Sequence, residues 1–270
     1  MTIDADSLRN ILVRLPLLAK TKLDEILYSD AAFDVVGIGA DNAPTSRLDH
    51  ELEKVCLDYL SGFGVIGSVL SEEAGLVEMS ASGHLDAILD PLDGTSNAKM
   101  GFPYYALSLA LLRDGEPIAG MVFNYASQDL FLGILGHGAS RNGRPISVSK
   151  VSQLRKACVV SSRPLCDDEM LMYGRFITNS GRVRISSSPA LDIAHVACGT
   201  FSAYADYHAP SGLIHLHDVI AAKVILEEAG GQLLNEFGEI KLPSTVHETF
   251  NVIAVNTLEM YREVVGYFHP

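Results

Sequence analysis

Positive charge is scarce in this chain. Lys and Arg number 20 against 33 Asp and Glu, a formal charge of −13 with an isoelectric point near 5.0. No segment gathers its cations into the basic stripe that a nucleic-acid backbone demands, so nucleic acid is not an expected partner. A small phosphorylated ligand is not excluded, because bound divalent cations invert the field of an acidic pocket. Cysteine is sparse too. Cys56, Cys158, Cys166 and Cys198 show no CxxC spacing, which argues against zinc ribbons and redox motifs. Most of them read as small buried hydrophobes in a reducing compartment. No apolar run approaches the roughly 18 residues of a membrane span. The opening Met1-Thr2-Ile3-Asp4-Ala5-Asp6 is acidic where a secretory leader is basic and then apolar. The expectation is a cytoplasmic protein with no membrane partner. Low-complexity tracts and internal repeats are also missing, and 48% of the 270 residues are hydrophobic, enough for a sizeable core.

Helical spacing of Leu8, Ile11, Leu12, Leu15 and Leu18 predicts a long opening helix over 8–28. Turn residues make 37–44 a loop. Thr45 or Ser46 can then cap a helix carrying Leu48, Leu52, Val55, Cys56 and Tyr59, which stops at Ser61-Gly62. A short strand over 63–70 runs up to Glu72-Glu73. Strands over 106–112, 117–124 and 130–135, joined by turns at 113–115 and 126–128, predict an antiparallel meander. Beyond about residue 150 the pattern alternates. Strands are expected at 157–161, 183–186, 201–206 and 251–255, with helices at 167–178, 190–197, 220–229 and 258–267. This predicts two subdomains meeting at a cleft, an α+β half over 1–150 and an α/β half over 151–270.

What the chain does have is acid in particular places. The apolar run Leu85-Asp86-Ala87-Ile88-Leu89 delivers Asp90-Pro91-Leu92-Asp93-Gly94-Thr95-Ser96-Asn97: two carboxylates three residues apart, then a glycine and two hydroxyl residues where a short helix starts. Carboxylates at a strand's end are hard oxygen ligands suited to Mg²⁺. A helix N-terminus offers free N–H groups and partial positive charge to a phosphate. Glu72 and Glu73 lie upstream, Asp218 opens a helix ahead of Glu227-Glu228-Ala229-Gly230-Gly231, and Asp49 lies near the start of the second helix. At about 4 Å and an effective dielectric near 20, each pair of such carboxylates costs on the order of 4 kcal/mol. Convergence therefore calls for neutralising ions or bound protons, and two metal ions also clamp both oxygens of an in-line phosphoryl displacement. Each motif has an ordinary reading as well. Asp-Pro-x-Asp-Gly is common turn chemistry, a Glu-Glu doublet is mostly a solvated pair, and an Asp at a helix start caps it. It is their order along the chain that favours one shared site.

That order resembles the inositol monophosphatase family of Mg²⁺-dependent, lithium-sensitive phosphatases. Glu72-Glu73, the 90–97 segment and Gly101-Phe102-Pro103 resemble its first signature. Gly136-His137-Gly138-Ala139 with Asn142-Gly143 and Ile146-Ser147-Val148-Ser149 resembles its middle hairpin. Ser187-Ser188-Pro189-Ala190-Leu191-Asp192-Ile193-Ala194, and His217-Asp218-Val219-Ile220-Ala221-Ala222 with Glu228-Ala229-Gly230-Gly231, resemble its C-terminal signatures. Gly39-Ala40-Asp41-Asn42-Ala43-Pro44-Thr45 looks like the archaeal branch, whose members often also hydrolyse fructose 1,6-bisphosphate.

The resemblance implies a layered αβαβα sugar-phosphatase fold, of α+β and α/β character, with an antiparallel sheet in the N-terminal half and a mixed sheet in the C-terminal half. It implies two or three Mg²⁺ per site. Glu72, Asp90 and the Leu92 carbonyl would hold the first metal, Asp90, Asp93 and Asp218 the second, and Glu72 would help hold a weaker third, with Asp49 and Glu73 nearby through water. The family's spacing selects Glu72 over Glu73. Glu72, Thr95 and Asp93 are the implied catalytic residues, Thr95 and Glu72 orienting the attacking water and taking up its proton. Gly94, Thr95, Ser187, Ser188, Asp206 and Asp218 are the implied substrate contacts. A homodimer acting on a small phosphorylated sugar or cyclitol, inositol 1-phosphate or fructose 1,6-bisphosphate, is expected. A nucleotide phosphatase acting on adenosine 3′,5′-bisphosphate or NADP is the alternative enzyme, and a non-catalytic metal-binding regulatory protein the alternative class.

Three departures concern the sugar. His217 stands where the family mostly has Trp, 207–215 is several residues longer than in the animal enzymes, and Asp206 replaces a sugar-contacting Glu. His215-Leu216-His217-Asp218 resembles a histidine metal motif, but Mg²⁺ prefers oxygen and no third His lies at ligand spacing, so packing or a substrate hydroxyl is the expected role. Arg163, Arg175, Arg182 and Arg184 are the dense basic group of the second half, from which a guanidinium fork could take the far phosphate of a bisphosphate.

Overall fold

The computed structural model describes residues 4–40, 42–238, 240 and 247–268. Asp41 of the archaeal-type motif and the opening Met1-Thr2-Ile3 lie outside the described residues. Asp4 caps α1 (Ala5–Ile26), its carboxylate accepting from Ser7 N at 2.8 Å. The expected loop at 37–44 is in part a hairpin, β1 (Val35–Ile38) with β2 (Pro44–Ser46). All four β1 residues are exposed, so no inside–outside alternation marks the strand. Ser46 then caps α2 (Arg47–Ser61) in a capping box closed by Asp49.

β3 (Ile66–Ser71), β4 (Gly75–Glu78), β5 (Leu85–Asp93), β6 (Ala106–Arg113), β7 (Glu116–Asn124), β8 (Leu130–Ile134), β9 (Ala139–Arg141) and β10 (Arg144–Pro145) form an eight-stranded sheet in the order β10-β9-β8-β7-β6-β5-β3-β4. Its neighbours are antiparallel, including the expected meander, except for the parallel pair β3–β5. The short helix α3 (Thr95–Met100) leaves the end of β5. Beyond a 3₁₀ turn at Leu154–Lys156, the second half comprises β11 (Cys158–Ser161), α4 (Asp167–Asn179), β12 (Arg182–Arg184), α5 (Pro189–Ala197), β13 (Ala203–Asp206), α6 (Leu216–Glu228), β14 (Gln232–Leu234), β15 (Val252–Val255) and α7 (Leu258–Val265). Its five strands form a mixed sheet in the order β12-β11-β13-β15-β14, parallel on both sides of β11 and antiparallel on both sides of β15.

Five layers result. Leu12, Leu15 and Leu52 of α1 and α2 pack on Leu107, Leu109 and Met121 of the large sheet. Its other face, with Ile88, Ala110 and Val122, buries α5 and α6, whose far sides meet Val160, Tyr204 and Ala254 of the small sheet. Tyr173 and Phe176 of α4 and Met260 and Val264 of α7 cover the outer face of that sheet. α6 begins at Leu216 and not at the expected Ile220, which places Asp218 in its first turn. Buried on nearly every side, α6 has no polar face whose period would reveal where it starts. Among the described residues no helix is long and apolar enough to cross a membrane.

Candidate active site

In a regular strand, residues three apart face opposite sides of the sheet. Asp90 and Asp93 escape this rule through a bulge. Asp90 pairs with Ser108 and Asp93 with Ala106, so three steps along β5 match two along β6. The extra residue turns both carboxylates to one side, and Tyr125 OH donates to the Pro91 carbonyl at 2.9 Å to hold the bulge. Asp90 Oδ1 accepts from Leu92 N at 2.9 Å, while Asp93 Oδ2 accepts from Ser188 Oγ and from Ala190 N at 3.1 Å, tying β5 to the start of α5. Asp218 arrives from α6. One carboxylate oxygen of each of Asp90, Asp93 and Asp218 lies within 4.8 Å of the others. Asp218 also caps its own helix, accepting from His215 N at 2.7 Å through Oδ2, so the ordinary reading of this residue and the ligand reading hold together.

Glu72 stands beside the cluster, where the charges of Asp90 and Asp218 act on its carboxyl. Glu73 is turned away, its carboxylate accepting from Thr45 Oγ1 in the hairpin. His217 Nε2 sits 3.9 Å from Glu72 Oε1 and 3.8 Å from Asp218 Oδ1, and its ring stacks on His215. Burial raises the carboxyls of Glu72, Asp90 and Asp93 well above their usual range, and the neighbouring negative charges, Asp218 among them, add to the effect. The site is an excess of buried negative charge.

Thr95 lies beside this cluster at the start of α3. Its hydroxyl is 2.9 Å from the Leu92 carbonyl and 3.2 Å from Asp49 Oδ1. Asp49 Oδ2 is occupied by the backbone N–H and hydroxyl of Ser46. Gly94, at φ 86°, carries the chain into α3 where a Cβ would lie 3.1 Å from the Tyr104 carbonyl and 3.3 Å from Ser188 Cβ, so the turn and its close packing both require glycine. Asn97 Nδ2 donates to the carbonyls of Tyr104 and Ser186, both at 2.7 Å, fastening α3 to the segment that precedes α5.

The family model for the inositol monophosphatase family matches residues 5–269. This chain belongs to the inositol monophosphatase family. Its relatives include a fructose-1,6-bisphosphatase/inositol-1-monophosphatase of Methanothermobacter thermautotrophicus, 30% identical with 95% of each chain covered. Among solved structures, the inositol monophosphatase from Anabaena (Nostoc) sp. PCC 7120 superposes with a TM-score of 0.78 at 28% identity, covering 97% of this chain and 95% of the other. SaIMPase-II, solved with inositol monophosphate bound, superposes with a TM-score of 0.78 at 24% identity, covering 98% and 94%.

Family members depend on metal ions, and the donor set here fits hard cations. Three carboxylates within shared-ion reach, with Glu72 and the Leu92 carbonyl adjacent, are oxygen ligands of the kind Mg²⁺ takes. Next to the cluster opens a cavity of about 530 Å³, lined by Ser96, Ser161, Arg163, Ser187, Asp206 and His208 among others. Ser188 is buried behind the cluster, its hydroxyl given to Asp93, while Ser187 faces the cavity.

Asp192, also on the cavity wall, accepts from Tyr104 OH at 2.8 Å and Ser186 Oγ at 2.6 Å. Burial nevertheless pushes its carboxyl up to about 7, the two hydrogen bonds opposing the shift. A folded-state value above the unfolded one means that the native protein holds more protons between about pH 4 and 7, so stability declines as pH rises through that window. Asp192→Asn keeps the acceptor oxygen and abolishes the titration. Its melting temperature should exceed that of the wild type at pH 8 by about 3 °C, the shift that about 1 kcal/mol gives in a chain of this size. The difference should shrink as pH falls and vanish below about pH 4, as scanning calorimetry would show.

Asp49's contact with Thr95 and the Tyr104–Asp192 and Asn97 ties join residues 46, 88 and 89 positions apart. Asn97 and Asp192 sit inside segments that stand out in the sequence. Nothing local announces their partners.

Proposed function

We propose that this chain is a Mg²⁺-dependent phosphomonoester hydrolase acting on a phosphorylated polyol, inositol 1-phosphate, fructose 1,6-bisphosphate, or both. The observation that carries this reading is the bulge-gathered carboxylate cluster, with Thr95 at the start of α3 following on from Asp93 and a polar cavity reached at Ser96. The two halves divide the work: 1–150 supplies Glu72, Asp90, Leu92 and Asp93, and 151–270 supplies Asp218 and the sugar-facing Ser187 and Asp206. When bound, Mg²⁺ supplies Lewis acidity that makes water nucleophilic near neutrality and neutralises charge on the transferred phosphoryl group.

The chain's own residues then do the positioning. The amides of Gly94 and Thr95 hold phosphate oxygens. Thr95, its proton directed to Asp49 or the Leu92 carbonyl, accepts a hydrogen bond from the attacking water, and Glu72 takes up one of the water's protons. The water oxygen, keeping its other hydrogen, bonds to phosphorus as the ester P–O bond breaks, and the leaving alkoxide takes a proton from solvent to give the polyol. Placement and charge neutralisation suffice, without a covalent phosphoenzyme. The family likeness also supports Li⁺ sensitivity, a cytoplasmic location and a homodimer, the last checked by light scattering.

Phosphate release measured with and without Mg²⁺ tests the reading. No Mg²⁺-dependent release from any ester would leave a metal-binding protein without catalysis. Ratios of kcat/KM for inositol 1-phosphate, fructose 1,6-bisphosphate and adenosine 3′,5′-bisphosphate then rank the substrates and test the nucleotide alternative. Arg163 bears on that ranking, because its exposed guanidinium lines the cavity and has no protein partner among the described residues. Arg163→Ala should raise KM for fructose 1,6-bisphosphate about tenfold, the loss of roughly 1.4 kcal/mol from a charge-assisted contact. KM for inositol 1-phosphate, which carries one phosphate, should change less than about twofold on the same reasoning.

A further inference from the structure

The cavity holds a polar grouping from which the proposed chemistry draws Asp206 alone. His208, on the connection between β13 and α6, is buried against Glu169 of α4. Glu169 Oε2 lies 3.0 Å from His208 Nδ1 and also accepts from Leu165 N at 2.7 Å, so Nδ1 carries a proton and Nε2 points the other way. On that side Asp206 Oδ1 stands 3.5 Å from Nε2, too far for a good hydrogen bond. Asp206 Oδ2 is taken by Tyr204 OH at 3.0 Å, but among the described residues the buried Oδ1 has no hydrogen-bond partner. Ser161 Oγ is buried without one as well. Ser161, Asp206 and His208 all line the cavity that also takes in Ser96, the neighbour of Thr95, and Ser187, the neighbour of Ser188.

A buried polar atom left unpaired is costly to the fold, and a ligand that pairs it recovers that cost. A hydroxyl suits every one of these atoms, because it can both donate and accept. The buried end of the wall, away from the exposed Arg163, suits hydroxyls better than a phosphate, since Asp206, Asp192 and Glu169 line or back it.

We propose that His208 is a specificity-determining residue, its Nε2 and Asp206 Oδ1 engaging two neighbouring hydroxyls of the polyol, and that Glu169 is the positioning residue that fixes the ring. The inference rests on the phosphomonoesterase reading and adds to it which part of the substrate is sensed, and by what. A substrate lacking the hydroxyl pair leaves both atoms unpaired, which is how a polar site rejects an analogue more strongly than an apolar one can.

The test compares kcat and KM for inositol 1-phosphate with those for 4-nitrophenyl phosphate, which carries no hydroxyl. In His208→Asn the amide still donates to Glu169, so the buried acceptor keeps its partner while Nε2 is lost. The ratio of kcat/KM, inositol 1-phosphate over 4-nitrophenyl phosphate, should fall at least tenfold, through KM more than kcat. Glu169→Ala should lower the ratio similarly by freeing the ring, and Glu169→Gln, which retains an acceptor oxygen, should restore most of it. A ratio within twofold of the wild type in His208→Asn, or equal losses on both esters in every variant, overturns the proposal and makes the pair purely structural. A wild type that hydrolyses neither ester overturns the phosphatase reading itself.

Discussion

Asp90→Asn is expected to cut kcat/KM for phosphate release at least a thousandfold, about 4 kcal/mol of transition-state stabilisation, while raising the melting temperature of the metal-free protein. Both effects come from one feature. Asp90 is almost wholly buried, stands beside Glu72, and lies within shared-ion reach of Asp93 and Asp218. Without cations the cluster must hold protons or tolerate repulsion, which is why burial and like charge raise the carboxyls of Glu72, Asp90 and Asp93. Asparagine keeps an oxygen for Leu92 N, offers its amide hydrogens to Glu72, and removes one negative charge. Because the raised carboxyls bind protons more tightly in the folded state, the metal-free wild type should lose stability as pH rises through their raised range, and the variant should lose less. Mg²⁺ should reverse the order, stabilising the wild type by mass action far more than the variant. Calorimetry in chelator and in Mg²⁺ checks this. Equal melting points in chelator would mean that the carboxylates do not strain the fold, and the account of the site would fail with them.

The parts of the site that were legible share a property: they lie close together in sequence. The 85–97 segment shows its apolar run, its two acids and its glycine side by side, and β5 and α3 form there. Local spacing cannot show that Asp90 and Asp93 face one way, because the bulge that turns them exists only in the pairing of β5 with β6. Asp218 belongs to the site by virtue of the layer it rides on, and a helix buried nearly all round conceals its own start. β1 escapes notice for the opposite reason, being exposed throughout. Glu72 and Glu73 are equivalent by composition. The structure separates them because Glu72 meets Asp90 while Glu73 is bonded to Thr45. Residues 169 and 208 are remote in sequence and carry no motif, so the His208–Glu169 pair had no signal to find.

Gly120→Ala, a single added methyl remote from any acid, should disable the same site. Gly120 of β7 and Gly133 of β8 are directly paired across the sheet, and the row continues through Ala110 of β6. α6 lies on that row so closely that a Cβ on Gly120 would sit 2.2 Å from the Ala221 carbonyl oxygen, and one on Gly133 would sit 2.7 Å from Ile225 Cα. Both obstacles are helix backbone, which cannot swing aside as a side chain can, so the helix has to lift. Overpacking of this kind costs about 3 kcal/mol, or roughly 6–12 °C in melting temperature for a chain of this size. Asp218 moves with α6 while Asp90 and Asp93 stay on β5, so the carboxylate oxygens would drift out of shared reach. The Mg²⁺ concentration giving half-maximal activity should therefore rise at least tenfold, even at temperatures where the variant is fully folded. Gly174→Ala supplies the contrast. Gly174 lies inside α4 with nothing near the added carbon, and the same substitution should stabilise by up to about 1 kcal/mol without altering the Mg²⁺ requirement. A Gly120→Ala protein with unchanged Mg²⁺ dependence would show that α6 does not need its glycine seat to deliver Asp218.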